Sequence, residues 1–126
     1  MRLGLRILSL GFVGALLTAN ASAAPATRKE GREADTALRI IRQHRLVPKE
    51  LRRCFFIMRG GHSTGHVVVF DVREQHRPPR CKGDPGTAPR MFSLEVDLRT
   101  GRARWDRMTP EDLDGGMRPI PRRARH

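Results

Sequence analysis

The clearest pattern along this chain is an alternation of apolar and polar residues between positions 90 and 106. Every second residue of its first half is apolar, which is the period of a half-buried β-strand: Phe92, Leu94, Val96 and Leu98. Residues 99–101 (Arg-Thr-Gly) predict a tight turn, because Gly101 can adopt the positive φ that such a hairpin loop needs. Ala103 and Trp105 then return to the apolar face. The pattern therefore predicts a two-stranded hairpin.

Two earlier stretches also predict strands. Residues 66–74 carry valine and phenylalanine on one face, with Asp71 and Arg73 on the other, as in a half-buried strand. Residues 54–58 (CFFIM) are apolar at every position, so both of their faces are hydrophobic. A run of this kind is typical of a covered strand inside a sheet rather than of an exposed edge strand.

The segment that precedes these strands has the periodicity of a helix. Thr27 and Glu30 fit a capping box, in which the hydroxyl and the carboxylate each bind an amide at the helix start. Apolar residues follow at helical spacing and form one narrow stripe: Ala34, Ala37, Leu38 and Ile41. Because Pro48 disfavours a helical residue before it, we predict an amphipathic helix that ends ahead of it and covers a sheet.

Together these elements predict an α+β fold, in which one N-terminal helix packs on a four-stranded antiparallel sheet. Their order along the chain is helix, strand, strand, long connection, strand, tight turn, strand. The predicted core draws on the helix and the strands: Leu38, Ile41, Val68, Phe70, Phe92, Leu94, Val96 and Trp105.

Residues 1–23 predict a cleaved signal peptide. Arg2 and Arg6 form a positively charged n-region before an apolar run over residues 7–17, and Ala-Ser-Ala at residues 21–23 suits a signal peptidase. The apolar run is shorter than the roughly 20 residues that a membrane-spanning helix needs. We therefore expect a periplasmic or secreted protein that is not transmembrane after cleavage. Residues 24–114 would form one domain and residues 115–126 a basic C-terminal tail.

The chain contains two cysteines, Cys54 and Cys81. A small domain in an oxidising compartment gains stability from a disulfide, so we predict that the two are bonded. A closed loop of about 28 residues predicts a stabilisation of roughly 3–4 kcal/mol. The alternative is a catalytic cysteine beside a histidine, which requires an unpaired thiol.

The formal net charge is +12, and two of the positive charges, on Arg2 and Arg6, lie in the predicted leader. A positive field of this strength favours anionic partners, such as acidic proteins or anionic surfaces. The chain has no tyrosine, and its phenylalanines lie mainly in strand-like patterns, which provide no evident stacking platform for single-stranded nucleic acid. We therefore expect no nucleic-acid partner.

Residues 75–89 (QHRPPRCKGDPGTAP) form a long polar connection between two predicted strands. Long ordered loops are often functional, and a disulfide at Cys81 would pin the middle of this one to the start of the first strand. We therefore predict a contact surface on and beside the loop, with five partner-binding residues: Arg77, Arg80, Lys82, Asp84 and Arg90. The alternative is a solvated connection that is held only for stability.

No catalytic or metal-binding motif stands out. His62 and His66 lie four residues apart, but the glycines and valines around them disfavour the helix on which such a pair would bind zinc. We predict no metal site, no cofactor and no enzymatic activity. A weak metal site that also uses His76 is the alternative.

A resemblance to known families rests on three segments. Residues 45–48 (RLVP) at the helix end and residues 92–105 (FSLEVDLRTGRARW) resemble the PepSY and cystatin-like small domains of bacterial envelopes, whose last hairpin commonly contains V-D-x-x-T-G. Residues 81–85 (CKGDP) are similar to a Cys-Gly-Gly-Asp-Pro segment of small exported proteins of Gram-negative bacteria, with Lys82 departing at the second position. The resemblance implies non-catalytic binding, often inhibition of a protein partner.

We therefore expect a small exported domain that binds or inhibits a protein partner in the cell envelope, and the net positive charge favours an acidic partner. One alternative is a basic binder of an anionic envelope surface or polymer. Another is an enzyme whose residues only the fold brings together.

Overall fold

The computed structural model describes residues 27–107 and 115–120. Its elements are helix α1 (Arg28–Gln43), a short 3₁₀ turn (Lys49–Leu51), and strands β1 (Phe55–Arg59), β2 (Val67–Glu74), β3 (Arg90–Asp97), β4 (Ala103–Trp105) and β5 (Arg118–Pro119). The strands form one antiparallel sheet in the order β1-β2-β3-β4-β5. The predicted α+β fold is confirmed, although the sheet has five strands in place of four. Within these residues, no helix has the length and apolar character that crossing a membrane requires.

Helix α1 begins and ends with a capping motif. At its start the Thr27 hydroxyl accepts a hydrogen bond from the Glu30 amide (3.3 Å), and the Glu30 carboxylate accepts one from the Thr27 amide (2.8 Å). The predicted capping box is therefore confirmed. At its end Arg45 has a φ of 52°, and the Leu46 amide donates to the Ile41 carbonyl at 3.0 Å. This Schellman motif turns the chain away from the helix axis.

The core lies between α1 and one face of the sheet. Its buried residues come from the helix, the turn after it and the two long strands: Ala37, Ile40, Ile41, Leu46, Val47, Val68, Phe70, Val72, Phe92, Leu94 and Val96. Trp105 packs against them from β4. The prediction that Leu38 belongs to this core is wrong, since Leu38 is only half-buried and lies outside the cluster. The side of α1 that faces the sheet centres on Ala37, Ile40 and Ile41.

The prediction of a covered strand at residues 54–58 is also wrong. Strand β1 pairs with β2 and lies at one end of the strand order. Phe55 and Ile57 pack against the core, whereas Met58 points to the other face and is 52% exposed. A continuous apolar run does not distinguish a strand that is covered on both faces from one with an exposed apolar side.

The fifth strand comes from the segment predicted as a basic tail. In β5, Arg118 pairs with Trp105 and Pro119 pairs with Arg104, and Ile120 packs against the core. Pairing with β4, the packing of Ile120 and a hydrogen bond from the Arg104 guanidinium to the Met117 carbonyl (2.7 Å) attach this segment to the sheet. Residues 121–126, the rest of the predicted tail, and residues 1–23, the predicted signal peptide, lie outside the described residues.

The hairpin of β3 and β4 is confirmed. Gly101 has the expected positive φ, 71°. The connection spans residues 98–102, one residue longer at each end than predicted. Inside it the Asp97 carboxylate accepts hydrogen bonds from the amides of Arg99 (2.9 Å) and Thr100 (3.2 Å). These bonds fix the turn beside the glycine.

Candidate binding surface

A disulfide attaches the long connection between β2 and β3 to the start of β1. Cys54 and Cys81 are bonded, with their Cα atoms 5.4 Å apart, and both are buried. The predicted pairing is therefore confirmed. Since Cys54 directly precedes β1, the bond holds the middle of residues 75–89 against one end of the sheet.

Backbone hydrogen bonds hold the first half of this loop. The Gln75 amide donates to the Cys54 carbonyl at 2.8 Å, so the loop leaves β2 still paired with the residue before β1. The Cys81 amide donates to the Arg77 carbonyl at 2.9 Å and closes the turn over residues 77–81. With the disulfide, these bonds hold this part of the loop against the start of β1.

The second half of the loop packs around the imidazole of His76. Its Nε2 lies 2.9 Å from a Glu74 carboxylate oxygen, and its Nδ1 lies 3.0 Å from the Asp84 carbonyl oxygen. The hydrogen bond to Glu74, followed by that to Asp84, raises the pKa of His76 above its ordinary value. Gly83 has a φ of 118°, and a Cβ at this position would lie 2.5 Å from the ring. Only glycine allows the backbone to approach the imidazole so closely.

The five predicted contact residues have different roles in the structure. The side chains of Arg77, Arg80 and Lys82 are exposed and form no hydrogen bond or ion pair with any described residue. Asp84 shapes the loop, because its carboxylate accepts a hydrogen bond from the amide of Gly86 at 2.9 Å. Three of the five are thus cations open to a partner.

Arg90 is turned away from these loop cations. Its guanidinium binds the Asp106 carboxylate at 2.7 Å and the Ser93 hydroxyl at 2.9 Å. Ser93 in turn donates to Asp71 at 2.8 Å, on the sheet face opposite α1. Arg90 therefore belongs to a polar network on that face.

Two arginines that the sequence analysis missed join the loop cations. Arg52 and Arg53 directly precede Cys54, and both are exposed. The disulfide brings this pair of arginines beside the basic residues that flank Cys81. We call the resulting group the disulfide corner; it consists of Arg52, Arg53, Arg77, Arg80 and Lys82. The signal in the sequence was that both cysteines have basic neighbours, which become one group only when the cysteines pair.

A groove adjoins the disulfide corner, between the end of α1 and the start of β1. Its volume is about 140 Å³, and it combines an apolar floor with a basic rim. Ile41, Val47 and Phe55 form the floor, and the rim consists of Arg42, Arg45 and Arg52. None of the three rim guanidiniums pairs with a carboxylate within the described residues. Arg52 belongs to both the groove and the corner.

The three histidines considered as metal ligands lie in separate environments. His62 is exposed, His66 lies 3.8 Å from Asp97, and His76 is enclosed in the loop. Across residues 27–107 and 115–120, no group of three or more histidine, cysteine, aspartate or glutamate side chains could hold a metal ion.

Comparisons of the chain with protein-family models, with curated proteins and with solved structures give no match.

Proposed function

We propose that this protein is a non-catalytic binding domain of the cell envelope, which binds an acidic protein partner through the disulfide corner. The observation that carries the proposal is the disulfide corner itself, because the Cys54–Cys81 bond places five exposed basic residues at one end of the sheet. These side chains make no ion pair with any described residue. Unpaired cations of one sign attract an anionic partner and direct its approach.

The rigidity of the loop supports binding rather than a merely solvated connection. The disulfide, the Gln75 hydrogen bond and the packing around His76 order the backbone that carries three of the five cations. A surface that is ordered before binding loses less conformational entropy when a partner binds. The loop is thus suited to present the cations in one arrangement.

Export is part of the proposal. A disulfide persists in the periplasm or outside the cell and is rare in the cytosol, and the pattern of residues 1–23 predicts a signal peptide. The resemblance to small envelope domains implies the same compartment and the same kind of role. The partner is therefore sought among envelope proteins.

The test is affinity capture from an envelope extract with two charge-reversed variants. The first variant changes the loop cations: Arg77→Glu, Arg80→Glu and Lys82→Glu. The matched control makes the same change in net charge on exposed positions of α1: Arg28→Glu, Arg32→Glu and Arg39→Glu. We expect wild type and the control to retain one specific protein, and the loop variant to bind it about tenfold more weakly or worse.

The salt dependence separates this function from the anionic-surface alternative. A protein partner with a complementary interface stays bound at about 0.5 M salt. At this ionic strength the Debye length is roughly 3–5 Å, so attraction between more distant charges is screened. Recovery of mixed polyanions that are all lost at that salt concentration, equally from both variants, would overturn the proposal.

A further inference from the structure

Among the described residues, no strand pairs with the outer backbone edge of β1. The Cys54 carbonyl accepts a hydrogen bond from the Gln75 amide, and the Gly60 amide donates to the Val69 carbonyl, each at 2.8 Å. The backbone N–H and C=O groups of the even-numbered residues in this segment therefore point towards β2. Because successive peptide groups alternate along a strand, the N–H and C=O groups of Phe55, Ile57 and Arg59 point away from the sheet. They form no backbone hydrogen bond with the described residues.

The groove lies on the helix side of this edge. Phe55 belongs to both β1 and the groove floor, and Ile57 packs on the same side against the core. Arg59, the next residue on this side, reaches α1 and binds Glu33. In a strand added beside β1, every second side chain would point to this same side. One of those side chains would enter the groove next to Phe55.

The charge of the rim selects the occupant. Arg42, Arg45 and Arg52 surround an apolar floor, and they lack carboxylate partners among the described residues. A second copy of β1 would not supply carboxylates, because residues 52–59 contain three arginines and no acidic residue. An acidic extended segment with an apolar residue on its groove-facing side satisfies both the floor and the rim.

We infer that an extended acidic segment of the protein partner adds to the edge of β1 as a further strand, seats one apolar side chain in the groove and places carboxylates at its rim. This inference rests on the proposed function and specifies how the partner is held. Backbone pairing along the edge contributes affinity, while the groove and its arginines provide selectivity.

The probe is the blocked peptide Thr-Glu-Thr-Leu-Thr-Glu-Thr, whose two glutamates and leucine share one face of a strand. Three control peptides each remove one element: lysine in place of both glutamates, serine in place of leucine, and N-methylation of alternate amides. Binding is followed by the fluorescence anisotropy of peptides that carry a dye at one end. Amide hydrogen exchange of the full-length mature protein is measured with the unlabelled peptides. We expect the parent peptide to bind more tightly than each control.

Hydrogen exchange reports the docking mode directly. At a peptide concentration of ten times its Kd, exchange of the Phe55, Ile57 and Arg59 amides should slow about tenfold. The Phe56 and Met58 amides already face β2 and should change little. Parent peptide that binds without protecting the three outward amides would overturn the inference, as would a failure of the peptide to bind at millimolar concentration.

Variants of the rim test the selectivity. Arg42→Glu and Arg45→Gly should each weaken peptide binding about threefold, whereas Arg39→Glu, on an exposed part of α1 outside the groove, should not. Equal effects of Arg42→Glu and Arg39→Glu would contradict a role for the rim. If these variants leave partner capture unchanged while the loop variant still loses it, the disulfide corner binds the partner and the β1 edge does not.

Discussion

The carboxylate of Glu33 lies buried in the sheet-facing side of α1 and binds the guanidinium of Arg59 at the end of β1. Glu33 is 3% exposed, and its other oxygen lies 4.0 Å from the Lys29 ammonium. A buried carboxylate is stable only if a cation or hydrogen-bond donors compensate its loss of water. The pair therefore joins the helix to the edge strand.

We expect Arg59→Ala to lower the free energy of unfolding by about 1–3 kcal/mol, because the buried carboxylate would lose its main partner. The estimate is below the full cost of breaking a buried pair, since the Arg59 side chain is 40% exposed. Urea denaturation measures the change. The double variant Glu33→Met with Arg59→Met should recover most of the loss. If Arg59→Ala lowers the free energy of unfolding no more than Arg39→Ala does, the pair has no such role.

The disulfide gives the second prediction. Replacing both cysteines with serine should lower the free energy of unfolding by roughly 3–4 kcal/mol, because the unfolded chain would regain the freedom of the loop between residues 54 and 81. Comparison of the urea midpoints and m-values of the two proteins measures it. A change below about 1 kcal/mol would show that backbone pairing and His76 hold the loop without the bond.

Local sequence patterns predicted some of these features and missed others. The capping box at Thr27 and the alternation along β2 and β3 are encoded within a few residues, so they were predicted with their correct faces. The Glu33 pair was missed, because no local pattern shows that a glutamate on α1 will face a strand residue 26 positions later.

The surface was predictable only in part for the same reason. The loop cations were found because they lie together in the sequence. Arg52 and Arg53 join them through the disulfide, and the groove exists only where the helix end meets β1. The unpaired edge depends on strand order, which the apolar run at residues 54–58 predicted wrongly.

Gly83 provides the third prediction. Gly83→Ala should lower the free energy of unfolding by about 2 kcal/mol, because alanine is strained at a φ of 118° and its Cβ would lie 2.5 Å from the His76 ring. Gly61→Ala is the matched control, since a Cβ there meets no atom within 4 Å. Thermal denaturation of the two variants checks this difference. Equal stabilities would indicate that the loop moves to accept the methyl group.

The raised pKa of His76 predicts a pH dependence of stability. The folded state binds the imidazole proton more tightly than the unfolded state, because Glu74 and the Asp84 carbonyl stabilise the imidazolium. The resulting stabilisation is complete below the ordinary value of 6.5 and is lost as pH rises through the higher pKa of the folded state. The difference in unfolding free energy between wild type and His76→Gln should therefore decline as pH rises above 6.5.

The other two groups with shifted pKa values in the described part of the chain do not interfere in that range. Glu30 and Asp97 have lowered pKa values: the Thr27 amide stabilises the Glu30 carboxylate, while at Asp97 burial opposes the shift and the Thr100 and Arg99 amides outweigh it. Their contributions are present at neutral pH and are lost only in acid. A difference between wild type and His76→Gln that grows with pH would contradict the assigned hydrogen bonds.

Arg45 should reduce the stability of the fold and at the same time strengthen peptide binding. Its φ of 52° lies in the left-handed region that glycine usually occupies at the end of a Schellman motif, while its side chain lines the groove. Arg45→Gly should raise the free energy of unfolding by about 0.5–1 kcal/mol, because it relieves the strained backbone. The same variant should lower the affinity for the acidic peptide about threefold. Arg45→Gln removes the charge without relieving the backbone, so it should weaken binding and leave stability unchanged. If Arg45→Gly stabilised the protein without affecting the peptide, the strained residue would be a tolerated helix end and not part of a binding site.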